Sequence, residues 1–212
     1  MKGLEDYYRL IASVLSPDEE TIDPFHASVD WERFIFISSS HLVLPAIYCQ
    51  ILRKGWSHYF PEDLLAYLEA VTAENRLRNQ EILVQMKELG ALFDAKGIEY
   101  VFLKGGAMLA GGYYEDIGER MMGDIDLLVN IEDSISTFKL LEELGYRELF
   151  VGFFHPSLTE SLEQTHLPRI SHPDKIAAVE IHNRLRACLE LVSIANQRFM
   201  NLTSSLNFHL AR

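Results

Sequence analysis

Three observations predict an α+β fold, with a small mixed β-sheet flanked on one side by helices and preceded by an all-helical N-terminal region. Apolar residues recur at three- and four-residue spacing up to residue 96. From residue 98, short apolar runs alternate with turn residues. Those runs are interleaved with helical patterns in the order strand, helix, strand, helix, strand, strand, strand. The expected organisation is a helical region over 1–96, an α/β core over 97–184 and a helical C-terminal segment over 185–212.

The helical region reads in four pieces. Leu4, Tyr7, Tyr8, Ile11, Val14 and Leu15 make one apolar stripe, which Ser16-Pro17-Asp18 breaks. Asp30 is placed to cap a second helix that starts at Trp31 and runs toward His41. Pro45 either kinks that helix or starts a new one, carrying Ile47, Ile51 and Leu52 up to Gly55. Pro61-Glu62-Asp63 opens a long helix whose stripe runs from Leu64 to Phe93; Lys96 and Gly97 have the basic last turn and trailing glycine of a helix end.

In the second region the expected strands are 98–103, 124–129, 146–150, 165–170 and 176–182. The expected helices are 106–114 and 133–144, the latter closed by Gly145. His172-Pro173-Asp174-Lys175 is a turn tetrad between the last two strands. The tail from Leu185 to Leu210 reads as mostly helical.

Composition narrows the function classes. The 212 residues are 48% hydrophobic and 24% charged, so a packed core is expected and disorder is not. A net charge of −12 repels phosphate backbones, which argues against a broad nucleic-acid footprint but leaves room for a small basic patch around Arg169, Arg184 and Arg186. Cys49 and Cys188 each lie in an apolar, helical stretch and read as two reduced core thiols. Glu5 and Asp6 follow Met1-Lys2-Gly3, so no signal peptide is expected. No apolar run is long enough for a membrane span, and a cytoplasmic setting is expected.

Asp124 and Asp126 lie two apart in an otherwise apolar strand, so both project to one face. Two carboxylates in such a place repel each other and lose hydration, and a divalent cation, Mg²⁺ or Mn²⁺, offsets both penalties. The plainer alternative puts Asp124 in a turn and Asp126 on a wet face; the metal reading is preferred. Glu180 and His182 share one face of Ala178-Val179-Glu180-Ile181-His182, and a neighbouring position would bring Glu180 to the aspartates. Three carboxylates suit a two-cation phosphoryl-transfer site. His182 is read as a structural histidine rather than a ligand, and His41, His155, His166 and His172 are given no role.

Gly105 and Gly106 sit at a strand-to-helix turn where backbone N–H groups can face an anion, although a tight turn needing positive φ is the preferred reading of the pair alone. Lys104 either touches phosphate or reaches for solvent. Arg120 either clamps a phosphate or pairs with Glu119 or Asp116. Tyr113-Tyr114 read as helix-end packing before base stacking.

Taken together, Leu103-Lys104-Gly105-Gly106, Tyr113 or Tyr114, Gly118-x-Arg120 and Gly123-Asp124-Ile125-Asp126-Leu127-Leu128-Val129 resemble the nucleotidyltransferase superfamily. The likeness is greatest to its NTP_transf_5-like group. There a Leu-Lys-Gly turn precedes an Asp-Ile-Asp-Leu-Leu-Val strand, and a later Glu-Ile-His strand, here Val179-Glu180-Ile181-His182, supplies a third acid. Trp31, His41, Pro45 and the long helix into Gly97 fit the group's helical lead-in, so the resemblance covers about residues 30–186.

The resemblance implies transfer of a nucleoside monophosphate from an NTP such as ATP to an acceptor hydroxyl, with Mg²⁺ and loss of pyrophosphate. Asp124 and Asp126 would bind metal, and Glu180 would bind a second metal or act as base. Lys104, Gly105, Gly106 and Arg120 would hold nucleotide. The acceptor is left open between a small molecule, a protein side chain and an RNA end, the last least favoured by the acidic charge. Two departures stand out. The spacing from Gly-Gly to Asp is long, and the chain ends soon after the Glu-Ile-His strand, so part of an acceptor pocket is expected to be reduced or supplied by an oligomer. The rival is a catalytically inactive nucleotide- or partner-binding module on the same fold. A haloacid-dehalogenase-type phosphatase is disfavoured by Leu128 at the place of its Thr or Val, and a glycosyltransferase by the preceding Lys-Gly-Gly turn.

Overall fold

The structure, a computed structural model, describes residues 3–17, 29–149 and 158–184. It is an α+β fold with a five-stranded mixed sheet and a helical N-terminal region. The expected tail helix at 185–210, along with Cys188, His155 and Arg186, lies outside the described residues.

Local chemistry sets the helices. Helix α1 (Leu4–Leu15) begins where the Gly3 N–H meets Asp6 and ends with the Ser16 N–H on the Ala12 carbonyl. Helix α2 (Trp31–Ser40) is capped by Asp30, whose carboxylate accepts from the Arg33 N–H at 3.1 Å. Pro45 starts a new helix: α3 (Leu44–Arg53) carries it in the first turn, where a missing N–H costs nothing, and turns 116° away from α2. Helix α4 (Glu62–Lys96) ends at Gly97, whose φ of +67° lets the chain reverse while Gly97 and Ile98 donate to the Asp94 and Phe93 carbonyls. Among the described residues no single helix is long and apolar enough to cross a membrane.

Packing divides the chain into two compact units, and the division falls within α4. One unit holds the described residues of Met1–Glu81 and Gly112–Met122; the other holds those of Ile82–Gly111 and Gly123–Arg212. In the first unit Tyr7, Val14, Phe34, Ile47, Ile51 and Leu68 anchor a buried cluster shared by α1, α2, α3 and the start of α4. Cys49, a free thiol, is buried there. Desolvation first, with the nearby Glu119 carboxylate adding to it, pushes its pKa to about 11.

A polar stripe on α4 organises the rest of that unit. Thr72, Asn75, Arg76 and Asn79 follow i, i+3, i+4, i+7 spacing, so they share one face. Asn75 donates to the Gly118 and Arg120 carbonyls at 2.7 and 2.9 Å, and Asn79 to those of Ile117 and Arg120. Arg76 grips Asp116 with two hydrogen bonds and holds its carboxyl below the usual range. Arg53 pairs with Glu115 and Glu119. The 112–122 loop is therefore strapped down by hydrogen bonds at several points.

The second unit holds the sheet, in the order β1 (Tyr100–Phe102), β2 (Asp124–Val129), β5 (Ala178–His182), β4 (Ile170–Ser171), β3 (Arg147–Glu148). Among the described strands only the β2–β5 pair is parallel. One face of that pair is apolar: Ile125, Leu127, Val129, Val179 and Ile181 are all buried. Phe93 of α4 packs against Tyr100 with ring centroids 5.3 Å apart and planes inclined by 56°, and Gly90 lets the helix come close to the Tyr100 hydroxyl. Gln85 of α4 both donates to the Ala177 carbonyl and accepts from its N–H, which pins the entry to β5. Helix α6 (Ile131–Glu143) packs against β5 and is closed by Gly145 at φ +100°.

Several elements are shorter than expected. The run 98–103 keeps strand geometry only at Tyr100–Phe102, the described part of 146–150 only at Arg147–Glu148, and 165–170 contributes an isolated bridge at His166 before Ile170–Ser171. Helix α5 (Lys104–Ala110) starts earlier than expected and stops before the tyrosines, so Tyr113 lies in the loop, 77% exposed, rather than packed at a helix end. The short helix α7 (Leu158–Ser161) has no counterpart in the apolar pattern.

Candidate functional site

Strand alternation and register build the site. Parallel pairing aligns Asp126 with Glu180, Asp124 with Ala178 and Leu128 with His182. Asp124, Asp126, Glu180 and His182 therefore project from one face, opposite the apolar one. Apart from Asp124, which is half-buried, all are buried. One ligand atom each from Asp126, Glu180 and His182 lies within 4.8 Å of the others, two carboxylate oxygens and an imidazole nitrogen. The carboxylate oxygens suit a hard divalent cation, and the imidazole could join them at Mn²⁺ or Zn²⁺ only by giving up the proton it holds against the two acids. The donor set thus fits a divalent metal.

Cations from this chain already sit against those acids. The Lys104 ammonium is 2.5 Å from Asp126 Oδ1 and 3.8 Å from Glu180 Oε2. His182 Nε2 lies 2.8 Å from Asp126 Oδ1 and 3.2 Å from Glu180 Oε2. The Arg169 guanidinium is 2.6 Å from Asp124 Oδ2 and 3.7 Å from Glu180 Oε1, and His166 Nδ1 is 3.6 Å from Glu180 Oε1. A buried carboxylate pair needs compensation, and here side chains supply it.

The protonation states follow from these contacts. Burial raises the Asp126 carboxyl, but hydrogen bonds from His182 and Lys104 outweigh it and hold the group below its usual range. His182, ahead of the opposing effect of burial, holds Glu180 low as well. Burial by itself would lower the His182 pKa; the two carboxylates reverse that and lift it to about 9. Burial likewise works against the Lys104 ammonium, and Asp126 keeps it charged.

Lys104 reaches this position from a left-handed backbone, φ +50°, at the first residue of α5. Such a conformation costs a non-glycine residue roughly 1–2 kcal/mol. The positive φ expected for Gly105 or Gly106 thus falls one residue earlier. Both glycines are buried in the first turn of α5, which packs against β1 and β2. Arg120 is in the other unit. It is exposed, and among the described residues its guanidinium has no ion pair, since Arg53 takes Glu119 and Arg76 takes Asp116.

The sequence reads His182 as structural, gives His166 no role and puts Arg169 only in a basic patch with Arg184 and Arg186; the structure brings all three against the carboxylates. His166 and Arg169 reach one face by a slip in register. His166 is opposite His182 and Ile170 opposite Val179, so four steps on one strand match three on the other. The extra residue forms a bulge around Pro168, which has no N–H to give a ladder. Strict alternation would put His166 and Ile170 on the same face; the bulge sends Ile170 to the apolar side and Arg169 to the carboxylates. A proline in the middle of an apparent strand was the available signal.

Comparison with curated proteins and with solved structures gives no match. A family model does match: it spans residues 27–199, most of the chain, taking in the Lys-Gly-Gly turn, the aspartate strand and the Glu-Ile-His strand alike. The chain accordingly belongs to the family described as uncharacterised nucleotidyltransferase.

Proposed function

We propose that the protein moves a nucleoside monophosphate from an NTP to the hydroxyl of a small-molecule or protein acceptor, releasing pyrophosphate, with Mg²⁺ or Mn²⁺ and in a cytoplasmic setting. The observation behind this reading is the parallel register that sets Glu180 beside Asp126, with Asp124 on the same face and Lys104 against them. Asp124, Asp126 and Glu180 are the residues that would hold the cation. When bound, a divalent cation neutralises triphosphate charge and polarises the phosphorus under attack.

The chain's own groups do the rest. Lys104, whose side chain is 57% exposed, neutralises phosphate oxygens. Gly105 and Gly106, in the first turn of α5, would hold phosphate through their backbone N–H groups. Arg120, unpaired among the described residues, is the loop's phosphate candidate. Glu180 is held low by His182, which suits it to ligation better than to proton abstraction. His182 keeps both acids oriented through its bonds to Asp126 and Glu180.

A second reading has its own support. The carboxylate face is neutralised by Lys104, Arg169 and His182 without any metal, as an inactive nucleotide-binding module would require. One assay separates the two. Wild type, Asp124→Ala and Asp126→Ala are incubated with each NTP and Mg²⁺ over a panel of hydroxyl acceptors, and pyrophosphate is measured. Loss of a ligand should cost at least about a hundredfold, more than loss of an outer partner does. Equal turnover by all three proteins refutes the assignment, while nucleotide binding without pyrophosphate release selects the second reading.

A further inference from the structure

We propose that Arg169 is a triphosphate-binding residue which Asp124 holds in place while the site is empty of nucleotide, and that Arg169 and Lys104 together exclude a bare divalent cation, so that metal enters with the NTP. This rests on the nucleotidyltransferase reading of the same face. The bulge at Pro168 brings the Arg169 guanidinium to 2.6 Å from Asp124 Oδ2 and 3.7 Å from Glu180 Oε1, while Lys104 lies 2.5 Å from Asp126 Oδ1. Each of the three carboxylates thus has a cationic side chain at or near it, and a divalent ion arriving alone meets acids that are already matched, next to the like charges of Arg169, Lys104 and His182.

A triphosphate changes that balance. Arg169 and Lys104 are 45% and 57% exposed at their side chains, so both can turn to a ligand, whereas Asp126 and Glu180 are buried on their strands and stay. A guanidinium grips a phosphate with the same planar fork it offers a carboxylate. Exchanging Asp124 for a phosphate oxygen keeps Arg169 paired and frees the carboxylate for the cation that accompanies the nucleotide. Metal and NTP affinity are then coupled, and reciprocally so.

The test measures binding, not turnover. Free Mn²⁺ is followed by electron paramagnetic resonance in wild type, Arg169→Ala, Arg169→Lys and Asp126→Asn. Each protein is titrated with Mn²⁺ alone and with non-hydrolysable ATP, CTP, GTP and UTP analogues in turn; circular dichroism checks each fold. Wild type should bind Mn²⁺ at least about tenfold more tightly with its preferred analogue than without one. Arg169→Ala should bind Mn²⁺ alone more tightly than wild type, bind the analogue more weakly, and lose most of the coupling. Arg169→Lys keeps the charge without the fork, so it should still exclude bare Mn²⁺ yet hold the analogue less well. The proposal is overturned if Mn²⁺ and analogue bind in an Asp126-dependent way with no effect of Arg169, or if wild type binds bare Mn²⁺ as tightly as it does with analogue. Failure of every protein to bind either ligand overturns the nucleotidyltransferase reading along with it.

Discussion

Raising the pH of chelator-treated protein from 6.5 to about 10 strips the proton that His182 holds between Asp126 and Glu180. The folded-state pKa, about 9, lies above the value of 6.5 expected in the unfolded chain. The stabilisation is therefore whole below pH 6.5 and is lost as pH rises through 9. With side-chain exposure of only 9%, solvent screens this group little. The span between the two values corresponds to about 3 kcal/mol. For a protein of this size that is about 6–12 °C in Tm. Thermal melts of wild type and His182→Gln, recorded across this window in EDTA, isolate the effect as a difference, since other titrating groups are common to both. The two curves should be furthest apart near pH 6 and should converge by about pH 10. Parallel curves would show that His182 is not a charged link between the two acids.

Two glycine contacts give further predictions. A Cβ at Gly118 would sit 2.7 Å from the Thr72 carbonyl oxygen, a backbone atom that cannot step aside. Gly118→Ala should cost about 1–3 kcal/mol in urea unfolding, and an unchanged midpoint would mean that the 112–122 loop is not held against α4 as described. At Gly90 the obstruction is the Tyr100 hydroxyl, 2.6 Å from the added carbon, with the ring's Cζ at an ordinary 3.4 Å. Gly90→Ala should therefore destabilise, and Gly90→Ala with Tyr100→Phe should recover at least wild-type stability, helped by about 1 kcal/mol of helix propensity. If the double variant is no better than the single one, the close approach of α4 to β1 is not what requires glycine.

What was legible in the sequence was whatever local chemistry decides. Asp30 caps α2, Pro45 opens α3, Gly97 ends α4, and β2 keeps the bounds that its apolar run implies. The shared face of Asp124 and Asp126 follows from period-two alternation, and so does that of Glu180 with His182. Contacts between distant residues were not legible. Nothing local says that β5 lies parallel to β2 in a register that sets Glu180 against Asp126. The aspartate pattern predicts compensation by metal alone; in the fold three side chains from separate segments share it. Arg169 was hidden by the bulge at Pro168, which breaks the alternation used to sort faces. The left-handed Lys104 was hidden because a glycine next door is the cheaper host for positive φ. The stripe Thr72, Asn75, Arg76, Asn79 was visible as spacing, but its partners are loop carbonyls that no pattern announces.

Crystals grown with Mn²⁺ and the preferred non-hydrolysable NTP analogue test the central claim most directly, through anomalous scattering. An anomalous peak about 2.1–2.3 Å from carboxylate oxygens of Asp126 and Glu180, beside the triphosphate, is the predicted result. A triphosphate bound away from that face, or Mn²⁺ with neither carboxylate within reach, would contradict it.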